Sequence, residues 1–202
     1  MDYLALGDSY TIGEGVAASG RWPELLARAL RAEGLDLAAP RVIAATGWTT
    51  DELSAAIDAA GDLGKWGFVS LLVGVNNQYR GRGLDDYRDG FTALLVRAIA
   101  LAGGISGRVL VLSIPDWGTT PFGAASGRDL AQVSRELDAF NAAAREICEA
   151  HGVAFVDITG VSRERGGEPA MLAEDGLHPS TAMHALWTAL ALPVARRLLA
   201  DT

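Results

Sequence analysis

Five short apolar runs, each followed by a longer stretch with helical spacing, restrict the folds open to this chain more than any other feature. The runs lie at residues 3–6, 41–45, 68–73, 108–113 and 153–156. They are mostly apolar at odd and even positions alike, the pattern of strands covered on both faces of a parallel sheet. Between them lie WPELLARALRAEG, TTDELSAAIDAAG, LDDYRDGFTALLVRAIALAGG and DLAQVSRELDAFNAAAREICEAHG, and STAMHALWTALALPVARRLLA closes the chain. These read as helices: Thr49 precedes Glu52 at capping-box spacing, Pro23 suits a first helical turn, and glycines stand at helix ends. Strand–helix alternation with right-handed crossovers predicts an α/β fold, a three-layer α/β/α sandwich on a five-stranded parallel sheet, flavodoxin-like in plan.

With 202 residues, half of them hydrophobic, the chain is long enough for one well-buried core, and a single domain over residues 1–202 is expected. Seventeen basic against 25 acidic residues give a net charge of −8, a field that repels nucleic acid and anionic lipid surfaces. No apolar run approaches the roughly 20 residues of a membrane helix, so no membrane insertion is expected. The lone Cys148 has no disulfide partner, and one cysteine with three histidines supplies no Cys/His zinc cluster. Met1-Asp2 runs straight into the first strand without a basic, apolar leader, so a cytoplasmic location is expected.

Open parallel sheets bind ligands at the carboxyl ends of their strands, near the switch in strand order. The loops there are GDSY (7–10), ATGWTT (45–50), GVNNQYRGRG (74–83), IPDWGTTPFG (114–123) and EDGLHPS (174–180). Each alone reads as turn chemistry. In combination they bring a serine, an imidazole, a carboxylate and polar donors to one sheet edge, which is the inventory of nucleophilic acyl transfer. A serine hydroxyl needs an imidazole to take its proton, and the imidazole needs a group to fix its tautomer. His178 and Asp175, three residues apart, suit those needs, whereas His151 and His184 lie within helical segments and suit structural roles.

On these blocks the sequence resembles the SGNH hydrolases, also called the GDSL esterase/lipase family. GDSY matches the nucleophile block, Gly47 in ATGW the glycine block, Asn76 in GVNN the asparagine block, and DGLHP the Asp-x-x-His-Pro block. The resemblance implies Ser9 as nucleophile, His178 as general base and Asp175 as its orienting partner. It implies an oxyanion hole of the Ser9 and Gly47 N–H groups and the Asn76 side-chain amide, a small ester as substrate, and no metal or organic cofactor. It sets no oligomeric state. Two positions depart from the family pattern: Tyr10 stands where leucine is common, and Asn77 where aspartate is usual. Trp48, Asn77, Tyr79, Arg80 and Trp117, adjoining the blocks, are the candidate substrate-binding residues. Asn77, Gln78, Tyr79, Arg80, Thr119 and Thr120 predict a largely polar rim, and with only short loops and no apolar insertion to form a lid, the cleft is expected to be shallow, open and suited to short acyl groups.

Rival readings fit less well. Gly13-x-Gly15-x-x-Ala18 nominally matches a dinucleotide fingerprint but begins several residues past the strand, and the second strand ends without a ribose-binding acid. Asp8 could be a phosphoaspartate, yet Tyr10 occupies the place of the second acid. No Gly-x-Ser-x-Gly elbow is present for an α/β-hydrolase. The alternative from another class is a weak or inactive protein that binds a sugar or other small molecule.

Overall fold

The computed structural model describes residues 1–200. Its elements run β1 (Tyr3–Gly7), α1 (Ser9–Ile12), α2 (Trp22–Ala32), β2 (Arg41–Ala44), α3 (Thr50–Ala59), β3 (Phe68–Leu72) and α4 (Val75–Tyr79). There follow α5 (Leu84–Leu101), β4 (Val109–Leu112), α6 (Pro121–Ala125), α7 (Leu130–Ala150), β5 (Ala154–Val156), α8 (Thr159–Arg165) and α9 (Thr181–Ala200). All strand pairs are parallel, in the order β2-β1-β3-β4-β5. The chain winds outward from β1 to β2, then crosses back to β3, which places the topological switch between β1 and β3.

Every residue of β1, β3 and β4 is buried, as continuous apolar runs require. The edge strands depart from that expectation: Arg41 of β2 is exposed and Val42 to Ala44 are half-buried, and β5 buries fully only Val156. Each edge has a single strand neighbour. Helices α2 and α9 pack against each other, and α3, α5 and α7 pack in succession as a second layer. Tyr87 of α5 stacks on Phe140 of α7 at 4.5 Å between centroids.

The long helices end where the sequence signals indicate. The Thr49 N–H donates to the Glu52 carboxylate at 2.9 Å, and Pro23 lies in the first turn of α2. Helices α1, α4, α6 and α8 stand where the sequence suggests loops. Segments of four to seven residues are too short for a hydrophobic period to show.

Both extra histidines and the cysteine sit in the fold as packing groups. His151 follows α7, with Nδ1 2.8 Å from the Ile147 carbonyl. His184 is fully buried, edge-on to Trp187 at 5.1 Å, and burial drives its pKa down to about 3, so the ring is neutral. Burial likewise pushes the Cys148 thiol up to about 12.

The register sets up the site. Gly7 pairs with Ala44 on one side and Leu72 on the other, so the carboxyl ends of β1, β2 and β3 lie level. The segments carrying Ser9, Gly47 and Asn76 therefore leave the sheet side by side.

Candidate active site

At Gly7 the backbone runs so close to its neighbours that a Cβ would collide with the Thr11 side chain and the Leu72 carbonyl. Asp8 follows, fully buried, with Oδ1 accepting the Tyr10 N–H at 3.0 Å and so capping α1. Burial pushes its carboxyl up to about 7, against the opposing pull of hydrogen bonds from the Tyr10 and Gly74 N–H groups. A phosphoaspartate must be reachable, and this carboxyl is sealed inside. Ser9 opens α1 and is 4% exposed. As a first-turn residue its N–H has no partner within the helix.

Asp175 divides its two oxygens between backbone and imidazole. Oδ1 accepts the N–H groups of Leu177 and His178, each at 2.9 Å, which shapes the turn. Oδ2 lies 2.5 Å from His178 Nδ1. Partial burial draws the Asp175 pKa upward, but the hydrogen bonds from His178 and Leu177 outweigh it and hold the carboxyl below its ordinary value. An ionised Asp175 accepts the Nδ1 proton, leaving Nε2 as the basic nitrogen. The turn is itself braced: the Ala173 N–H donates to the His178 carbonyl at 2.8 Å, and the Ser180 N–H to the Met171 carbonyl at 2.9 Å. The Tyr10 ring lies 5.9 Å from both the His178 and Trp187 rings, so the tyrosine in place of leucine packs beside the imidazole at the lining of the cleft.

Gly47 adopts φ +88°, the left-handed region that favours glycine. Asn76, in α4, donates Nδ2–H to the Trp48 carbonyl at 2.9 Å, which assigns the nitrogen end of its amide and leaves the second N–H free to point elsewhere. Among the described residues, the Ser9 and Gly47 N–H groups donate to no acceptor within the chain.

These groups meet in one open cleft of about 190 Å³, lined by Ser9, Thr46, Gly47, Asn76 and His178 on its polar side. Val75, Tyr79, Trp117, Phe122 and Leu177 supply an apolar wall. The Tyr79 and Trp117 rings meet edge-on at 5.3 Å, and the Arg128 guanidinium lies over Tyr79 at 4.3 Å while donating to the Tyr79 carbonyl at 2.9 Å. Trp117 Nε1–H donates to Gln78 Oε1 at 2.9 Å, which fixes the indole.

Of the sequence-derived candidates, Ser9, Gly47, Asn76, Tyr79, Trp117 and His178 face this cleft, and Asp175 stands behind His178. Three others do not. The Arg80 guanidinium is engaged by the Gly47 carbonyl at 2.6 Å and by Glu52. Trp48 packs against the core. Asn77 is fully buried: Oδ1 accepts the Thr50 N–H at 3.1 Å and Nδ2 donates to Thr50 Oγ1 at 2.9 Å. Gln78 and Thr120 are also buried, so the rim is aromatic where the sequence suggested polar. Val75 and Phe122 also line the cleft, and as isolated apolar residues in short segments they carry no sequence signal. A Thr120-Pro121 helix-start signal was available for α6, and the Thr120 side chain indeed accepts the Gly123 N–H.

Asn77 explains its own departure from aspartate. A carboxylate could accept from both the N–H and the hydroxyl of Thr50, but only by burying a charge, whereas the amide meets both groups while neutral. Replacing Asn77 with leucine should strand both Thr50 groups, costing about 2–4 kcal/mol and lowering the melting temperature by about 5–10 °C. Thermal denaturation followed by circular dichroism measures this, and an unchanged midpoint would count against the bonds.

The sequence matches the GDSL-like lipase/acylhydrolase family over residues 5–186. The chain belongs to that family. Among solved structures, TesA superposes with a TM-score of 0.77 at 22% identity, covering 98% of this chain and all of that one. A lipase/acylhydrolase from Enterococcus faecalis gives 0.74 at 22% identity, covering 97% of this chain and 95% of its own. A variant of Axe2, an acetyl xylan esterase from Geobacillus stearothermophilus, gives 0.72 at 22% identity over 96% and 94% of the two chains. At such identities these likenesses show a shared fold. No curated protein sequence matches the chain. Among the described residues, no helix is long and apolar enough to cross a membrane.

Proposed function

We propose that the protein is a serine esterase acting on small carboxylic esters with short acyl groups. The observation that supports this reading is the division of labour at Asp175, which holds His178 Nδ1 and leaves the other imidazole nitrogen free of it, with His178 and Ser9 lining the same cleft. Ser9 Oγ attacks the ester carbonyl carbon while its proton passes to His178 Nε2. The N–H groups of Ser9 and Gly47 and the Asn76 amide receive the negative oxygen of the tetrahedral intermediate. Collapse expels the alcohol, which takes the proton from His178. Water then attacks the acyl-enzyme by the same route, releasing the acid and restoring Ser9. Asp175 stays ionised throughout, holding the imidazole and stabilising its charged form.

The short-acyl part of the reading rests on volume. Behind the cleft, between Trp117 and α9, an apolar slot lined by Tyr10, Met183 and Trp187 measures only about 20 Å³. That is room for about one water and none for an alkyl chain. Each methylene contributes about 0.8 kcal/mol only where it is buried. The ratio kcat/KM for p-nitrophenyl esters of two to sixteen carbons, assayed below their micelle concentrations, should peak between acetyl and butyryl and decline by octanoyl. A maximum at ten carbons or beyond would overturn the short-acyl assignment.

A further inference from the structure

Helix α4 and the residue capping its C-terminus, Arg80, carry two side chains that grip the same strip of backbone. Asn76 and Arg80 are four residues apart, on one face of that turn, and the Arg80 N–H donates to the Asn76 carbonyl at 3.0 Å. Asn76 Nδ2 holds the Trp48 carbonyl at 2.9 Å, and Arg80 Nη2 holds the preceding carbonyl, that of Gly47, at 2.6 Å. The other arm of the guanidinium reaches Glu52, with Nη1 3.2 Å from Oε2, the same oxygen that receives the Thr49 N–H at 2.9 Å. Arg80 thus ties the segment after β2 to the segment after β3, although β1 separates those strands in the sheet.

This tie falls where backbone freedom is greatest. Gly47 at φ +88° has no side chain to restrain it, and among the described residues its N–H, at the lining of the cleft, donates to no acceptor. An oxyanion donor is effective only if it is held in place before charge develops. Arg80 is itself 44% exposed on its side chain, so its pairing with Glu52 is weak as a source of stability. Its geometric role is the stronger one.

We propose that Arg80 is a positioning residue for the oxyanion hole: it fixes the Gly47 peptide in register with Asn76 and acts on the transition state rather than on substrate binding. The proposal rests on the serine-esterase reading. Loss of one complete oxyanion donor costs about 10²–10³ in kcat, and a donor left in place but loosened costs less. Arg80→Ala should therefore lower kcat for p-nitrophenyl acetate by roughly tenfold with KM within about twofold of the parent. Arg80→Lys should recover only part, because an ammonium cannot hold the Gly47 carbonyl and Glu52 with a planar fork. Millimolar ethylguanidinium should raise the kcat of Arg80→Ala and leave the parent unchanged.

A rise in KM at constant kcat would overturn the proposal by making Arg80 a substrate contact. Unchanged kinetics in Arg80→Ala would overturn it by reducing the side chain to a surface ion pair. If Arg80→Ala folds poorly, Glu52→Gln, which loosens the same guanidinium from outside the cleft, should give a smaller fall in kcat at constant KM; no fall would overturn the proposal. Fluorophosphonate labelling of the parent separates the two levels. Failure to label Ser9 sinks the esterase reading, while labelling at Ser9 with Arg80 variants of parental kinetics sinks the positioning role alone.

Discussion

Ser9→Ala protein should hydrolyse p-nitrophenyl acetate at least about a thousandfold more slowly than the parent and should not react with a fluorophosphonate probe. The expectation follows from what the hydroxyl does and does not do. It lies in the cleft shared with His178, and the fold gives it no capping duty. Asp8 caps α1 through the Tyr10 N–H, and the Ser9 carbonyl, which receives the Gly13 N–H at 3.0 Å, survives the substitution. The variant should therefore keep the parent's circular dichroism and melting temperature. Activity within tenfold of the parent in a correctly folded variant would remove Ser9 as the nucleophile. Loss of activity together with loss of fold would instead assign Ser9 to the structure.

How far the sequence discloses such a site depends on what kind of signal each residue leaves. The central strands β1, β3 and β4 are legible because burial on both faces demands apolar residues at every position. Ser9, Asp175 and His178 are legible because a serine past a strand end and an Asp-x-x-His turn are local patterns. The opposite orientations of Asn76 and Asn77 are not, since adjacent residues of identical type carry no mark of direction in a presumed loop. Once α4 is a helical turn, direction follows from its period: Asn76 and Arg80 share a face, while Asn77 turns inward to Thr50. For the same reason the sequence offers Arg80 as a substrate-binding residue at the rim. Its partner, the Gly47 carbonyl, is a backbone group present at every residue, so no sequence pattern marks it.

Asn76→Ala should lower kcat about 10²–10³-fold, equivalent to about 2.7–4 kcal/mol of transition-state stabilisation, while KM changes little. The amide nitrogen has two hydrogens, and one of them goes to the Trp48 carbonyl. That bond does more than satisfy the carbonyl: it fixes the rotation of the amide, so the remaining N–H is aimed before substrate arrives and costs no reorganisation in the transition state. A neutral ester carbonyl interacts weakly with such a donor, whereas the oxyanion that replaces it interacts strongly in a partly enclosed cleft. The loss should therefore appear in kcat. Asn76→Asp is the sharper variant, because it keeps the shape, removes both donors and sets a negative charge beside the developing one; its kcat should fall below that of the alanine variant. A rise in KM at parental kcat in Asn76→Ala would mean that the amide binds ground-state substrate. The stabilising donors would then have to be sought among the Ser9 and Gly47 N–H groups alone.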